Sequence, residues 1–195
     1  MEILKEVLEW IVALFLKSDE KADEKDQKVS QENLQVEVKY MISMKEILMG
    51  RMTEAELTQE QAANVKILFE RINKLRTAYG KPIKVNDGVR RPQDTPKFGS
   101  ATSWHLRGGA IDLDDDDAGT LWKWIWANRF KLKEWGLWCE HPCWTHSKNG
   151  TWIHLQIMPP KSGKRFFVPS SQPNPNPSFW DGKYEAELDG FESAA

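Results

Sequence analysis

The chain has 195 residues, 40% of them hydrophobic and 29% charged, with a mean hydropathy of −0.61. That is enough length and apolar content for one domain with extensions around a sizeable core, and it excludes a disordered or membrane-embedded chain. A formal charge of −2 lacks the basic excess that holds nucleic acid or an anionic surface, so no nucleic-acid partner is expected.

Residues 1–16 carry Ile3, Leu4, Val7, Leu8, Ile11, Leu14 and Phe15 at helical spacing, which predicts an amphipathic helix with one apolar stripe. Glu2, Glu6 and Glu9 precede its most apolar run. A secretory signal wants a basic start, and a membrane span needs roughly 20 apolar residues, so neither is expected. The protein is therefore expected to be made in the cytoplasm without a signal peptide, with the helix docking on its own domain or on a partner. Residues 17–33 alternate acid and base and read as a charged linker. The folded domain is expected over 34–170. Thr58-Gln59-Glu60-Gln61 has the form of a capping box. Val65, Leu68, Ile72, Leu75 and Tyr79 mark one face of the helix behind it, which Gly80 and Pro82 end.

Ile83 and Val85 predict a short strand leading into an Asp87-Gly88 turn, and Ala110–Leu113 a second strand with Asp112 facing away from Ile111 and Leu113. The acidic run 114–117 is expected to cap, through its last member, one helix from Ala118 to about Lys133. A calcium loop fits poorly, because the oxygen spacing and central glycine of an EF-hand are missing. Two further strands are expected at 136–140 and 152–157, and residues 171–195 read as an extended tail. Helices segregated from short strands predict an α+β fold, a small antiparallel sheet flanked by helices.

His105, Asp112 and His154 stand out as metal ligands, since a catalytic zinc takes three His or carboxylate ligands and keeps one position open. Period-two arithmetic sets Asp112 and His154 on strand faces opposite their apolar neighbours, looking into a cleft. The same parity puts Trp138 and Glu140 on one face, with Leu137 and Cys139 on the other. If that strand pairs with 152–157, Glu140 lands near His154, where a carboxylate can take a proton from water.

Around these residues, Ser103-x-His105-x-x-Gly108-x-Ala110-x-Asp112 resembles the signature of the zinc D-alanyl-D-alanine carboxypeptidase family. That family also contains D-Ala-D-Ala dipeptidases and the L-alanyl-D-glutamate endopeptidases of phage endolysins. Asp87-Gly88-Val89-Arg90 is similar to its small-Gly-aromatic-Arg element, and Trp152-Ile153-His154 to the strand bearing its last ligand. A Gly-Leu-x-x-Glu strand, a His-Leu-Gln strand and Ser162-Gly163-Lys164-Arg165-Phe166-Phe167 resemble a phage-encoded branch. The resemblance covers about 40–170. It implies a hedgehog-like fold, one zinc ion on His105, Asp112 and His154, and hydrolysis of peptidoglycan stem peptide. Ser103 would bind substrate or orient the first ligand, and Arg90 would hold a substrate carbonyl or carboxylate. No wall-binding repeat or strongly basic patch is visible, which fits carriage to the wall by a larger assembly such as a phage virion, whose proteins the N-terminal helix would contact. One departure stands out: many members place an acid three residues before the last His, where this chain has Thr151. Catalysis must then recruit Glu140, or the protein is a non-catalytic wall-binding component.

Two other clusters compete for attention. Cys139, His141, Cys143 and His146 could hold a structural zinc, but the C-x₃-C spacing and the inward parity of Cys139 favour free thiols, with a disulfide as the third reading. Nine of the ten tryptophans lie from Trp104 onward. Trp122 and Trp126, four apart, share a helix face expected to pack on the sheet, while Trp104 and Trp152 flank metal ligands and could line a substrate groove.

Overall fold

The computed structural model describes residues 41–94, 101–147 and 150–167, with the backbone alone at 143, 144, 146 and 147. The N-terminal helix, the charged linker and the C-terminal tail expected from sequence lie outside the described residues. Among the described residues, no helix is long and apolar enough to cross a membrane.

A short helix, α1 (Met44–Ile47), opens on a Ser43–Glu46 capping box. The long helix α2 (Gln59–Tyr79) begins at the expected box: Thr58 Oγ1 accepts from the Gln61 amide, and the Gln61 side chain accepts from the Thr58 amide. It ends where Gly80 turns left-handed. Its Val65, Leu68, Ile72 and Leu75 are buried and form the helical side of the core. The amide of Ile42 donates to Asn73 Oδ1, and Asn73 Nδ2 donates back to Ile42 O, which fastens the start of the described chain to α2.

Among the described residues six strands follow: β1 (Val85–Asp87), β2 (Ala110–Asp114), β3 (Trp138–Glu140), β4 (His146–Ser147), β5 (Gly150–Gln156) and β6 (Phe166–Phe167). Their order is β1-β2-β5-β3-β6, with β4 also paired to β5. Ile111, Leu113, Ile153, Leu155, Leu137 and Cys139 turn toward the core, each 0% exposed, as the alternation of side chains requires. The fold is α+β, as expected. The sheet departs from all-antiparallel at one edge, where β6 runs parallel to β3.

The helix expected over 118–133 is two helices, α3 (Thr120–Ala127) and α4 (Arg129–Trp135). Asn128 separates them: its amide and its Nδ2 both bond Trp124 O, a side-chain competitor for a helical carbonyl. The capping acid also differs from expectation. Gly119 is left-handed, so the chain folds back and brings earlier acids, not Asp117, onto the helix start. Asp115 accepts from the amides of Leu121 and Trp122, and Asp116 from that of Thr120. Trp122 and Trp126 share a face and pack on Phe166 of β6, whereas Trp124 meets Tyr79 of α2.

Candidate metal centre and active site

His105 sits in a 3-10 turn, Trp104–Arg107, capped by Ser103, whose Oγ accepts from the His105 amide. Three neighbours immobilise that turn. Gln61 of α2, already spent on its own helix cap, donates its Nε2 to Leu106 O at 2.9 Å. Asn64 donates to Arg107 O. Gly108 ends the turn at φ 72°, where an added Cβ would meet Val65 Cγ2 at 2.8 Å and Gln61 O at 2.9 Å. The glycine of the signature is thus required both by its dihedral and by the close approach of α2.

Asp112 on β2 and His154 on β5 are directly paired across the sheet, so their side chains emerge side by side on the face away from the core. His154 Nδ1 lies 2.8 Å from Asp112 Oδ1 and 3.2 Å from His105 Nε2, and His105 Nε2 lies 3.4 Å from Asp112 Oδ1. All three ligand atoms fall within 4.8 Å of one another. They form the one such grouping of His, Cys, Asp and Glu among the described residues.

The remote atoms of these side chains are also held, as metal ligands require. His105 Nδ1 is 2.7 Å from Gly88 O, so this nitrogen carries the proton and Nε2 keeps its lone pair. His154 Nε2 faces Gln156 Oε1 at 3.4 Å, and Gln156 Nε2 donates to Met158 O. Burial opposes ionisation of Asp112, yet its interactions with His105 and His154 outweigh it and hold the carboxyl well below the usual range. Burial likewise opposes protonation of His154, but its hydrogen bond to Asp112 and the Asp112 charge push it up to about 8. Two imidazoles and an ionised carboxylate, converging from three segments with their far atoms fixed, are a donor set that fits a divalent metal such as zinc.

Strand β3 brings the remaining acid. It pairs with β5 at Trp138↔Gln156 and Cys139↔Leu155, and continuing that register by one residue sets Glu140 opposite His154. Burial raises the Glu140 carboxyl; the His154 charge opposes this and Asp112 reinforces it, leaving it at about 7. The register assumed from sequence is therefore the one in the fold.

Arg90 is buried, its Nε donating to Asp87 Oδ2 at 2.6 Å and its Nη2 3.7 Å from Asp112 Oδ2. Thr151, at the position of the missing acid, is buried and donates its Oγ1 to Asp115 O at 2.5 Å, while the Asp115 amide bonds Thr151 O. Its hydroxyl ties β5 to the acidic loop. Trp152 is half-buried beside Asp114, its cross-strand partner, and Trp104 is half-buried with the Arg107 guanidinium 4.4 Å over its ring. Cys139 is a buried free thiol whose Sγ donates to Glu140 O. The His141 ring packs edge-on against Trp122.

Sequence reading assigned no role in the site to Gln156, Phe167, Arg51, Asp87 or Gly88. Gln156 was accessible to it, since it lies two residues beyond His154 on the same strand face. Phe167 belongs to the Ser-Gly-x-Arg-x-Phe element, but its edge-on contact with the His154 ring at 6.2 Å, like the Asp87–Arg51 pair, joins distant segments and has no local signal. Gly88 acts through its carbonyl, which any residue has.

Two ligands on a sheet face and a third from the adjoining 3-10 turn, with a buried carboxylate on the neighbouring strand, form a site of the metallohydrolase type. The chain belongs to the peptidase M15 family, whose profile matches residues 41–147. M15 enzymes are zinc-dependent metallopeptidases, which accords with the ligand set His105, Asp112 and His154. The match takes in His105, Asp112 and Glu140 and stops short of His154, which joins the set through geometry. Comparison with curated proteins finds no match.

Proposed function

We propose that this protein is a zinc-dependent peptidase that hydrolyses the stem peptide of bacterial peptidoglycan at a bond next to a D-residue. The observation that carries the proposal is the convergence of the three ligand atoms within 4.8 Å, with Glu140 at the register position facing His154. One zinc ion held by His105, Asp112 and His154 would supply a Lewis acid for the scissile carbonyl and lower the pKa of water. Glu140 takes the proton from the attacking water and delivers it to the leaving amine, a role suited to a carboxylate whose pKa is near neutrality. Arg90 holds a substrate carbonyl or carboxylate, and Trp104 and Trp152 wall the groove with Ser103 at its edge.

The Gly-Leu-x-x-Glu, His-Leu-Gln and Ser-Gly-x-Arg-x-Phe elements support a phage-encoded enzyme, and the lack of a visible wall-binding repeat or basic patch supports carriage on the virion, with residues 1–16 contacting virion proteins. A second reading draws on Thr151: its hydroxyl bonds Asp115 O, so the protein would bind wall peptide and zinc without cutting. Incubation with purified muropeptides, read by mass, together with metal analysis, separates the two. Cleavage products and one equivalent of zinc are expected. Bound zinc with no turnover anywhere between about pH 5 and 9 would favour the second reading, since a general base is titrated across that range.

A further inference from the structure

Beside the metal ligands runs a line of alternating buried charges. Arg51, from the segment after α1, sets Nη1 2.5 Å from Asp87 Oδ1 and also donates to Val89 O at 3.2 Å. The other Asp87 oxygen takes the Nε of Arg90 at 2.6 Å, and Arg90 Nη2 reaches toward Asp112. The Asp87 and Arg90 side chains are about one-tenth exposed, and that of Arg51 about one-fifth. The amide of Gly88 closes on Asp87 Oδ1 at 2.9 Å. The turn is anchored from below: the Val89 amide donates to Ile47 O at 2.8 Å, and a Cβ on Gly88 would lie 2.0 Å from that same oxygen.

We infer that Asp87 is the positioning residue for Arg90, with Arg51 as its counter-charge, and that this triad sets the guanidinium for the substrate. The inference rests on the proposal that Arg90 holds substrate. A lone carboxylate at this depth would be costly, and a lone arginine could swing among rotamers. Asp87 between two guanidiniums avoids both, since each of its oxygens accepts a charge-assisted bond. With Nε on Asp87, Nη2 of Arg90 faces Asp112, on the side of the metal ligands where the substrate of the proposed reaction would lie. The same turn serves the metal side, because Gly88 O receives His105 Nδ1. One short segment therefore fixes the spacing between the substrate anchor and the first ligand.

The test is a double-mutant cycle with Asp87→Asn, which keeps shape and removes charge, and Arg90→Lys, read as muropeptide affinity and kcat/KM on zinc-loaded protein. Asp87→Asn is expected to retain zinc and lose at least about tenfold in both, and the double variant to fall no more than about twofold below Arg90→Lys alone. Arg51→Met is expected to show the same non-additivity with Arg90→Lys, and it carries the cycle if Asp87→Asn does not fold. Losses that multiply, or an Asp87→Asn protein that binds as wild type does, overturn the inference while leaving the peptidase proposal intact. A merely structural role would lower the melting temperature and give multiplying losses. Wild-type protein that neither binds nor cuts muropeptide overturns the peptidase proposal, and this inference with it.

Discussion

Glu140 can accept a proton only after losing its own, and burial has moved that loss up to about 7. Activity should therefore rise with pH along an acid limb whose apparent pKa is no higher than about 7, because a cation bound nearby favours the carboxylate. Glu140→Ala should keep its zinc, lose at least about a hundredfold in kcat, and lose that limb from its pH–rate profile. Gln156 acts one bond further out. Its Oε1, 3.4 Å from His154 Nε2, would accept the remaining ring proton once a metal displaces the one on Nδ1, so Gln156→Leu should weaken zinc about 10- to 100-fold in a chelator competition. His154 has a strong claim to the metal on these grounds alone, although it lies beyond the stretch matched by the family.

At the scale of elements, two substitutions separate packing from chemistry. Gly88→Ala would drive a methyl against the Ile47 carbonyl, 2.0 Å from its oxygen, and backbone on both sides leaves no flexible neighbour to yield. It should cost more than about 2 kcal/mol in denaturant unfolding, at the upper end of overpacking effects. Thr151 tests the missing acid. Thr151 is 9% exposed and its hydroxyl is bonded to Asp115 O. Thr151→Glu should consequently fail to raise activity and should destabilise the fold by about 1–3 kcal/mol, the scale of a lost bond and a carboxylate forced into a buried site. A gain in turnover from this variant would reassign the general base.

For the whole molecule, the ligands come from the 3-10 turn, β2 and β5, so a bound ion cross-links segments 49 residues apart in sequence. Chelation should lower the melting temperature by an amount that grows with the zinc concentration removed, about 4 kcal/mol of stabilisation at a thousandfold excess over Kd. In His105→Ala the same chelator should produce a much smaller shift. The layered arrangement explains why the site survives this dependence. Its strands are fixed by apolar side chains on the opposite face, Ile111, Leu113, Ile153 and Leu155, all 0% exposed.

Local features were legible without any structure. The Thr58–Gln61 box, the apolar face of α2 and the left-handed Gly80 follow from residues within a few positions of each other, as capping and helical periodicity do. Period-two parity was enough to turn Asp112, His154 and Glu140 to one face, and the S-x-H-x-x-G-x-A-x-D spacing named two of the three ligands. The break at Asn128 was not legible, because the residue could equally face solvent in a continuous helix. Nor was the choice of Asp115 over Asp117 as the capping acid, which Gly119 makes by reversing the chain.

By itself, then, the sequence determined which side chains are chemically able to hold a metal and which face of each strand they occupy. Only the tertiary structure decided the β3–β5 register that sets Glu140 toward His154, the parallel edge strand that brings Phe167 to the same ring, and the Arg51–Asp87–Arg90 line. The physical reason is range: helix caps and strand parity are settled by bonds along the backbone, whereas registers and buried ion pairs are settled by packing between segments that the chain order leaves far apart.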